Sequence, residues 1–122
     1  MTDPRCRERV LITGSRHWTD GDSILRVLMA HPGAIVIHGG CPTGADQIAD
    51  DAAWALSMAV LVFRADWNRY GRPAGPRRNQ QMIDEGKPTV AYAFPLGESI
   101  GTRDMIRRLR AAGIPVTVKE PQ

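Results

Sequence analysis

Residues 38–46 combine three glycines with residue types that begin helices. The segment lies between an apolar run and a helical pattern and reads His38-Gly39-Gly40-Cys41-Pro42-Thr43-Gly44-Ala45-Asp46. A strand that enters a glycine turn and then a helix presents free backbone N–H groups beside the positive end of the helix dipole. Such a junction binds anions, most often phosphate. The alternative is that the glycines form only a tight turn.

Thr43 and Asp46 have the spacing of a capping box. In that motif the Thr hydroxyl accepts a hydrogen bond from the backbone N–H three residues on, and the acidic side chain accepts one from the Thr backbone. We therefore expect a helix that begins at Thr43, with Asp46 already explained by capping.

A second candidate anion site is the helix predicted to begin at Pro76. It would place Arg77 and Arg78 in the first turn, where each cation opposes the helix dipole at a cost of about 0.3–1 kcal/mol. A bound phosphate would reverse that cost. For Arg77 we expect a solvent-exposed or surface-paired side chain, whereas Asn79 should point toward the edge of the sheet as a ligand contact.

Two tryptophans and three aspartates complete the candidate chemistry. Trp18 or Trp67 could stack on a base, the alternative being that they pack under long loops. Cleavage of an N-glycosidic or phosphate-ester bond would need an acid/base carboxylate, for which Asp46, Asp66 and Asp104 are the candidates. Turn chemistry alone accounts for Asp66.

Five apolar strands alternate with four helical patterns, which predicts an α/β fold with a doubly wound parallel sheet and helices on both faces. The predicted strands are 9–13, 34–37, 59–63, 89–94 and 114–118. In such sheets ligands bind at the carboxyl ends of the strands, where the strand order reverses. Three glycine loops follow strands and so converge on that edge. Segment 64–76, rich in Gly, Pro, Arg and aromatics, is predicted to be an irregular functional loop.

The chain has 122 residues, which predicts a single domain over 1–122 with loosely held ends at 1–8 and 119–122. No apolar run approaches the length of a membrane span, and the polar start lacks a signal-peptide pattern, so we expect a cytoplasmic protein with no membrane partner. Cys6 and Cys41 form no disulfide framework, and the separated histidines indicate no metal site. No cofactor is expected.

The net charge of +3 is carried almost wholly by arginine. Such a modest excess is weak support for nucleic-acid binding. The last helix presents an arginine face, which is typical of a solvated amphipathic helix (Arg103, Arg107, Arg108 and Arg110). Nucleic-acid binding is therefore less favoured than anion binding at the glycine loops or bond cleavage by a nearby carboxylate.

Several motifs in this order resemble the SLOG superfamily, in the branch related to YspA and YpsA, and more distantly the LOG-type phosphoribohydrolases and the DNA-processing protein DprA. The resemblance rests on Leu11-Ile12-Thr13-Gly14-Ser15-Arg16-His17-Trp18, His38-Gly39-Gly40, Thr43-Gly44-Ala45-Asp46, Ala65-Asp66-Trp67, Gly75-Pro76-Arg77-Arg78-Asn79, Ala93-Phe94-Pro95 and Gly101-Thr102. It implies a Rossmann-like fold that binds a nucleotide or a nucleotide-derived ligand such as an ADP-ribose-like molecule, as a sensor or as a processing enzyme. Related proteins often pair, so a homo-oligomer is also implied.

Matching these motifs and the stacking candidates residue by residue gives one set of ligand contacts. They are Gly14, Ser15, Arg16, Trp18, Gly39, Gly40, Thr43, Gly44, Asp46, Asp66, Trp67, Arg78, Asn79, Gly97, Gly101 and Thr102. The glutamate of the phosphoribohydrolases falls at Met105 in this chain. Asp104 lies next to it but about 100° away around a helix, so the resemblance favours binding or sensing over hydrolysis.

Overall fold

The computed structural model describes residues 7–121 as five strands and five helices. Cys6 and the rest of segment 1–6, together with residue 122, lie outside the described residues. In chain order the elements are β1 (Arg9–Gly14), α1 (Gly21–Met29), β2 (Ile35–His38), α2 (Gly44–Ala55), β3 (Val60–Val62), α3 (Trp67–Tyr70), α4 (Ala74–Asp84), β4 (Val90–Phe94), α5 (Ile100–Ala111) and β5 (Val116–Val118).

All five strands pair in parallel in the order β3-β2-β1-β4-β5, which confirms the predicted fold class. Leu11 in the central strand lies opposite Ile37 of β2 and Ala91 of β4. The strand order reverses between β1 and β4, because the chain leaves β1 in one direction and returns to its other side after β3. The predicted ligand edge is therefore the carboxyl end of these two strands.

Successive residues of β1 face opposite sides of the sheet and enter two separate cores. Val10 and Ile12 pack with α1 and α2 on one face, whereas Leu11 packs with α4 and α5 on the other. All three side chains are fully buried. This continuous apolar run is what a parallel strand covered on both faces requires.

The predicted start of the third crossover helix, between β3 and β4, is wrong. The helix begins at Ala74, with Pro73 before it, so that Pro76 is its third residue. Both prolines are compatible with a first turn, since the N–H groups there have no intrahelical acceptor. As a consequence Arg78 lies in the second turn, and the predicted cost against the helix dipole does not apply to it.

Segment 64–76 is also more regular than predicted, because it contains the single turn of α3 and the start of α4. Asp66 caps α3 by accepting a hydrogen bond from the Arg69 backbone N–H at 3.1 Å.

At the chain ends, Glu8 and Lys119 hydrogen-bond to the sheet through their backbones. No helix within residues 7–121 is both long and apolar enough to cross a membrane.

Candidate functional site

The loops after β1, β2 and β4 meet at the carboxyl edge of the sheet. The Ser15 backbone N–H donates to the Phe94 carbonyl at 2.9 Å, which joins the ends of β1 and β4. A Cβ on Gly14 would lie 2.6 Å from the Ala45 Cβ and 2.8 Å from the Phe94 carbonyl oxygen. Gly14 is therefore required for the close crossing of β1, β4 and the start of α2.

Gly44 lets the loop after β2 pack directly on the loop after β1. Its φ is +71°, and a Cβ there would overlap the Ser15 carbonyl oxygen and lie 2.5 Å from the Arg16 Cα. The Ser15 carbonyl accepts from the Ala45 backbone N–H at 3.1 Å, and the Thr43 hydroxyl donates to the Arg16 carbonyl at 2.9 Å. The two loops are thus interlocked through their backbones.

The predicted capping box is wrong, although α2 does begin after Thr43. The Thr43 side chain makes no capping hydrogen bond. Asp46 accepts instead from the Cys41 backbone N–H, at 3.1 Å. The reason is that the Thr43 hydroxyl donates to the Arg16 carbonyl of the loop after β1. Residues 43–46 alone do not reveal that this acceptor is close.

Much of the predicted cradle of backbone amides is used inside the protein. The Gly40 N–H donates to Nδ1 of His38 at 3.0 Å, so the other ring nitrogen of His38 carries the proton and donates to Asp50 at 2.8 Å. The N–H groups of Cys41 and Ala45 are bonded as described above. Side chains, more than these amides, are left to bind an anion.

Arg78 is a half-buried cation of this edge. Its Nη1 donates to the Gly39 carbonyl at 2.7 Å, and its Nε donates to Oδ1 of Asn79 at 3.1 Å. A Cβ on Gly39 would lie 2.5 Å from Nη1 of Arg78 and 3.1 Å from Oδ2 of Asp46. Glycine at this position therefore allows both charged groups to approach the loop.

Burial opposes the charged forms of both partners. Burial raises the pKa of Asp46, although the Cys41 N–H and the nearby charge of Arg78 act in the other direction. Burial likewise lowers the pKa of Arg78, against the effect of Asp46 and Cys41. The guanidinium stays charged at neutral pH because the ordinary pKa of an arginine side chain lies far above 7. The edge therefore retains positive charge.

Asn79 joins α4 to α5 and is buried, with 5% of its surface exposed. Its side-chain NH₂ donates to the Gly101 carbonyl at 3.2 Å and to Oδ2 of Asp104 at 3.0 Å. Because its oxygen also accepts from Arg78, the side chain predicted to contact ligand is occupied by the protein and positions Arg78.

Asp104 is held as an ionised group. Burial would raise its pKa, but hydrogen bonds from Asn79 and Arg108, with the charges of Arg108 and Arg107, lower it overall. The Arg108 Nε lies 2.8 Å from this carboxylate. Arg103, another arginine of the same helix, pairs with Glu120 at 3.5 Å. Three of the four arginines considered for nucleic acid are thus engaged within the protein.

The two candidate stacking tryptophans have different surroundings. Trp18 is 5% exposed and packs edge-on against Phe94, with ring centroids 5.2 Å apart. Its indole N–H donates to the Asp20 carbonyl. Trp18 is therefore packed inside the protein, as in the alternative to base stacking. Trp67 is 55% exposed and lies beside Gly75, where a Cβ would be 3.2 Å from its ring. Only Trp67 of this pair presents a ring to solvent.

The loop after β4 completes the edge. Ser99 immediately precedes α5 in a left-handed conformation, and its hydroxyl donates to the Thr102 hydroxyl at 2.9 Å. Thr102 is buried, whereas Gly97 and Gly101 are exposed. The Gly97 carbonyl accepts from Arg103 at 3.0 Å.

Arg64 is a residue of this edge that the predicted contact set lacks. It follows β3, is exposed, and its Nη1 donates to the Gly40 carbonyl at 2.9 Å. The rule that ligands bind beyond the carboxyl ends of strands could have identified it. Arg16, also exposed, lies at the end of β1.

A groove of about 820 Å³ opens beside α1, lined in part by Trp18, Tyr92, Leu96 and Lys119. It does not include the glycine loop after β2, Arg64 or Arg78. We place the candidate site at the glycine loop, because the buried charge and the convergence of loops are found there.

Comparison with known protein sequences identifies the family of this chain. The sequence model of the YspA, cpYpsA-related SLOG family matches residues 8–70. The chain is also similar to Gene 61 protein of Mycobacterium phage D29, with 45% identity over 118 residues that cover 88% of this chain and 93% of the phage protein. No solved structure gives a significant match. The resemblance predicted from the motifs is confirmed, and the chain belongs to the YspA, cpYpsA-related SLOG family.

Proposed function

We propose that this protein binds a nucleotide or a nucleotide-derived, ADP-ribose-like ligand at the carboxyl edge of the sheet, as a sensor. Membership of the SLOG family supports a nucleotide-related ligand. The observation that carries the proposal is the position of Arg78. It contacts the loop after β2 directly and, through Asn79, the first turn of α5, which follows β4. Arg78 therefore links the elements that follow β2 and β4, the two neighbours of the central strand β1.

Arg78 has N–H groups to spare for a phosphate. A guanidinium has five donors in a planar fork, and the hydrogen bonds to Gly39 and Asn79 use two of them. Asp46 is the nearby carboxyl. Burial raises its pKa, which favours the neutral form. A phosphate would thus meet a cation that is positioned beforehand, and the exposed ring of Trp67 is available to stack on a base.

A thermal-shift screen tests this proposal. The protein is heated with AMP, ADP, ADP-ribose, cyclic ADP-ribose isomers or NAD, and each ligand is then recovered and identified by mass spectrometry. A ligand at 100 times its Kd stabilises the fold by about 2.7 kcal/mol, a shift of several degrees. We expect a shift with at least one nucleotide and its recovery intact.

The matched variants are Arg78→Gln and Arg77→Gln. The Arg77 guanidinium lies over the Tyr70 ring at 4.2 Å, so the neighbouring arginine does not face the loop. We expect Arg78→Gln to abolish the ligand-induced shift and Arg77→Gln to keep it. The absence of a shift with every nucleotide, or equal loss in both variants, would contradict the proposal.

Hydrolysis of the bound nucleotide is the second candidate function, supported by Asp46. A raised pKa is what a carboxyl general acid requires, whereas the pKa of Asp104 moves the other way. Recovery of a free base with ribose phosphate, lost in Asp46→Asn, would establish this activity and replace the sensor function.

A further inference from the structure

Two arginines from different elements contact consecutive carbonyls of the loop after β2. Arg78 donates to Gly39 at 2.7 Å, and Arg64 donates to Gly40 at 2.9 Å. Consecutive Cα atoms are about 3.8 Å apart, so the two guanidinium groups are held beside neighbouring peptide units. We infer that Arg64 is a specificity-determining residue and that the site takes a ligand with two linked phosphates, such as a nucleoside diphosphate or its sugar ester. This inference rests on the proposed nucleotide function.

Both glycines are needed for this pair of contacts. A Cβ on Gly39 would meet Arg78, and a Cβ on Gly40 would lie 2.8 Å from the Cγ of Arg64 and 3.1 Å from its Nη1. Gly40 also has a φ of +74°, which side chains rarely adopt. The Gly-Gly sequence therefore lets two cations approach one loop.

The two charges are incompletely compensated. The buried Asp46 lies near Arg78, and its pKa is raised. No carboxylate in the described part of the chain forms an ion pair with Arg64. A polyanion that contacts both guanidinium groups would supply the counter-charge that the protein does not.

Two other arginines between residues 64 and 78 have different contacts. Arg69 and Arg77 lie over the Tyr70 ring, at 5.1 and 4.2 Å from its centroid. Between residues 64 and 78, Arg64 and Arg78 are thus the arginines that donate to the loop after β2. One guanidinium suffices for a bidentate contact with one phosphate, so two of them, each with donors left over, fit two adjacent phosphates.

Calorimetric titration with AMP, ADP, inorganic phosphate and inorganic pyrophosphate, at one fixed salt concentration and with EDTA, tests the inference. The wild type is expected to bind ADP about 10- to 100-fold more tightly than AMP, the range for one added hydrogen-bonded charge contact. Pyrophosphate should compete with ADP at concentrations where phosphate does not. Arg64→Gln should lose this preference, so that its ADP affinity falls to that for AMP while AMP binding changes less than about threefold.

Arg72→Gln is the matched control, since Arg72 is an exposed arginine of the same segment. It should leave the ratio of ADP to AMP affinity unchanged. Equal wild-type affinities for AMP and ADP, or an equal loss of both in Arg64→Gln, would overturn the inference and leave the proposed nucleotide function standing. If the wild type binds neither nucleotide and no other member of the thermal-shift panel, the proposed function fails and this inference fails with it.

Discussion

Replacing Gly44 by Ala should destabilise the fold more than a comparable change at any loop glycine with free space around it. Two costs add at this position. A φ of +71° costs an L-residue about 1–2 kcal/mol, and overpacking costs about 1–3 kcal/mol. The overlapping atoms belong to the backbone of Ser15 and Arg16 and cannot rotate away. We therefore expect a loss of about 2–5 kcal/mol in the free energy of unfolding, a large share of the 5–15 kcal/mol typical of a domain.

Two other glycines separate these costs. Gly33 has a φ of +77° with nothing within 4 Å of a Cβ, so Gly33→Ala should show the backbone cost alone, about 1–2 kcal/mol. Gly14 has no positive φ but meets three atoms closer than 3.0 Å, so Gly14→Ala should show overpacking alone, about 1–3 kcal/mol. Urea unfolding followed by tryptophan fluorescence gives all three values, with the denaturant slope as the check that the unfolded states match. If Gly44→Ala lowers the free energy of unfolding no more than Gly33→Ala does, the conclusion that the loops after β1 and β2 are interlocked would be refuted.

Two further changes test the contacts between α4 and α5. Asn79→Ala removes the donors to the Gly101 carbonyl and Asp104, and should lower the free energy of unfolding by about 1–3 kcal/mol in urea; a neutral effect would show that these bonds are replaced by water. The pKa of Asp104 is lowered by folding, so the stability it contributes is present above the ordinary Asp pKa of about 3.9 and is lost as pH falls through the lower, folded-state value. Asp104→Asn should therefore be about 1–2 kcal/mol less stable than the wild type at pH 7 and should approach it at pH 3, whereas a difference that does not change with pH would contradict this reading.

The sheet was predictable because its strands are short apolar runs bounded by Gly and Pro, as in Ala34–Ile37 between Pro32-Gly33 and Gly39-Gly40. The start of α4 was not, since Pro73 and Pro76 satisfy the same local rule. Burial of Trp18 was left open by the sequence for a related reason: it depends on Phe94, which is distant in the chain.

At the site, sequence position predicted which loops converge but not which atoms pair. Asp46 lies at capping distance from Thr43 in the sequence, yet its partner is Cys41, because the loop between them bends back over the helix start. Similarly, Asn79 was placed correctly on a buried face, whereas its bond to Asp104 depends on how α5 packs against α4. Such pairings are set by tertiary geometry, and neighbouring residues carry no signal for them.

The carbonyl of Ser15 gives α2 a dependence that most helices lack. Helices of this length are marginal by themselves in water and commonly draw on a capping side chain next to their first turn. Here Ala45 finds its acceptor in a loop that follows another strand, and Thr43 offers no local substitute. An isolated peptide spanning 43–56 should consequently have little helix by circular dichroism, and in the folding chain the first turn of α2 should become stable only once β1 and its loop are in place.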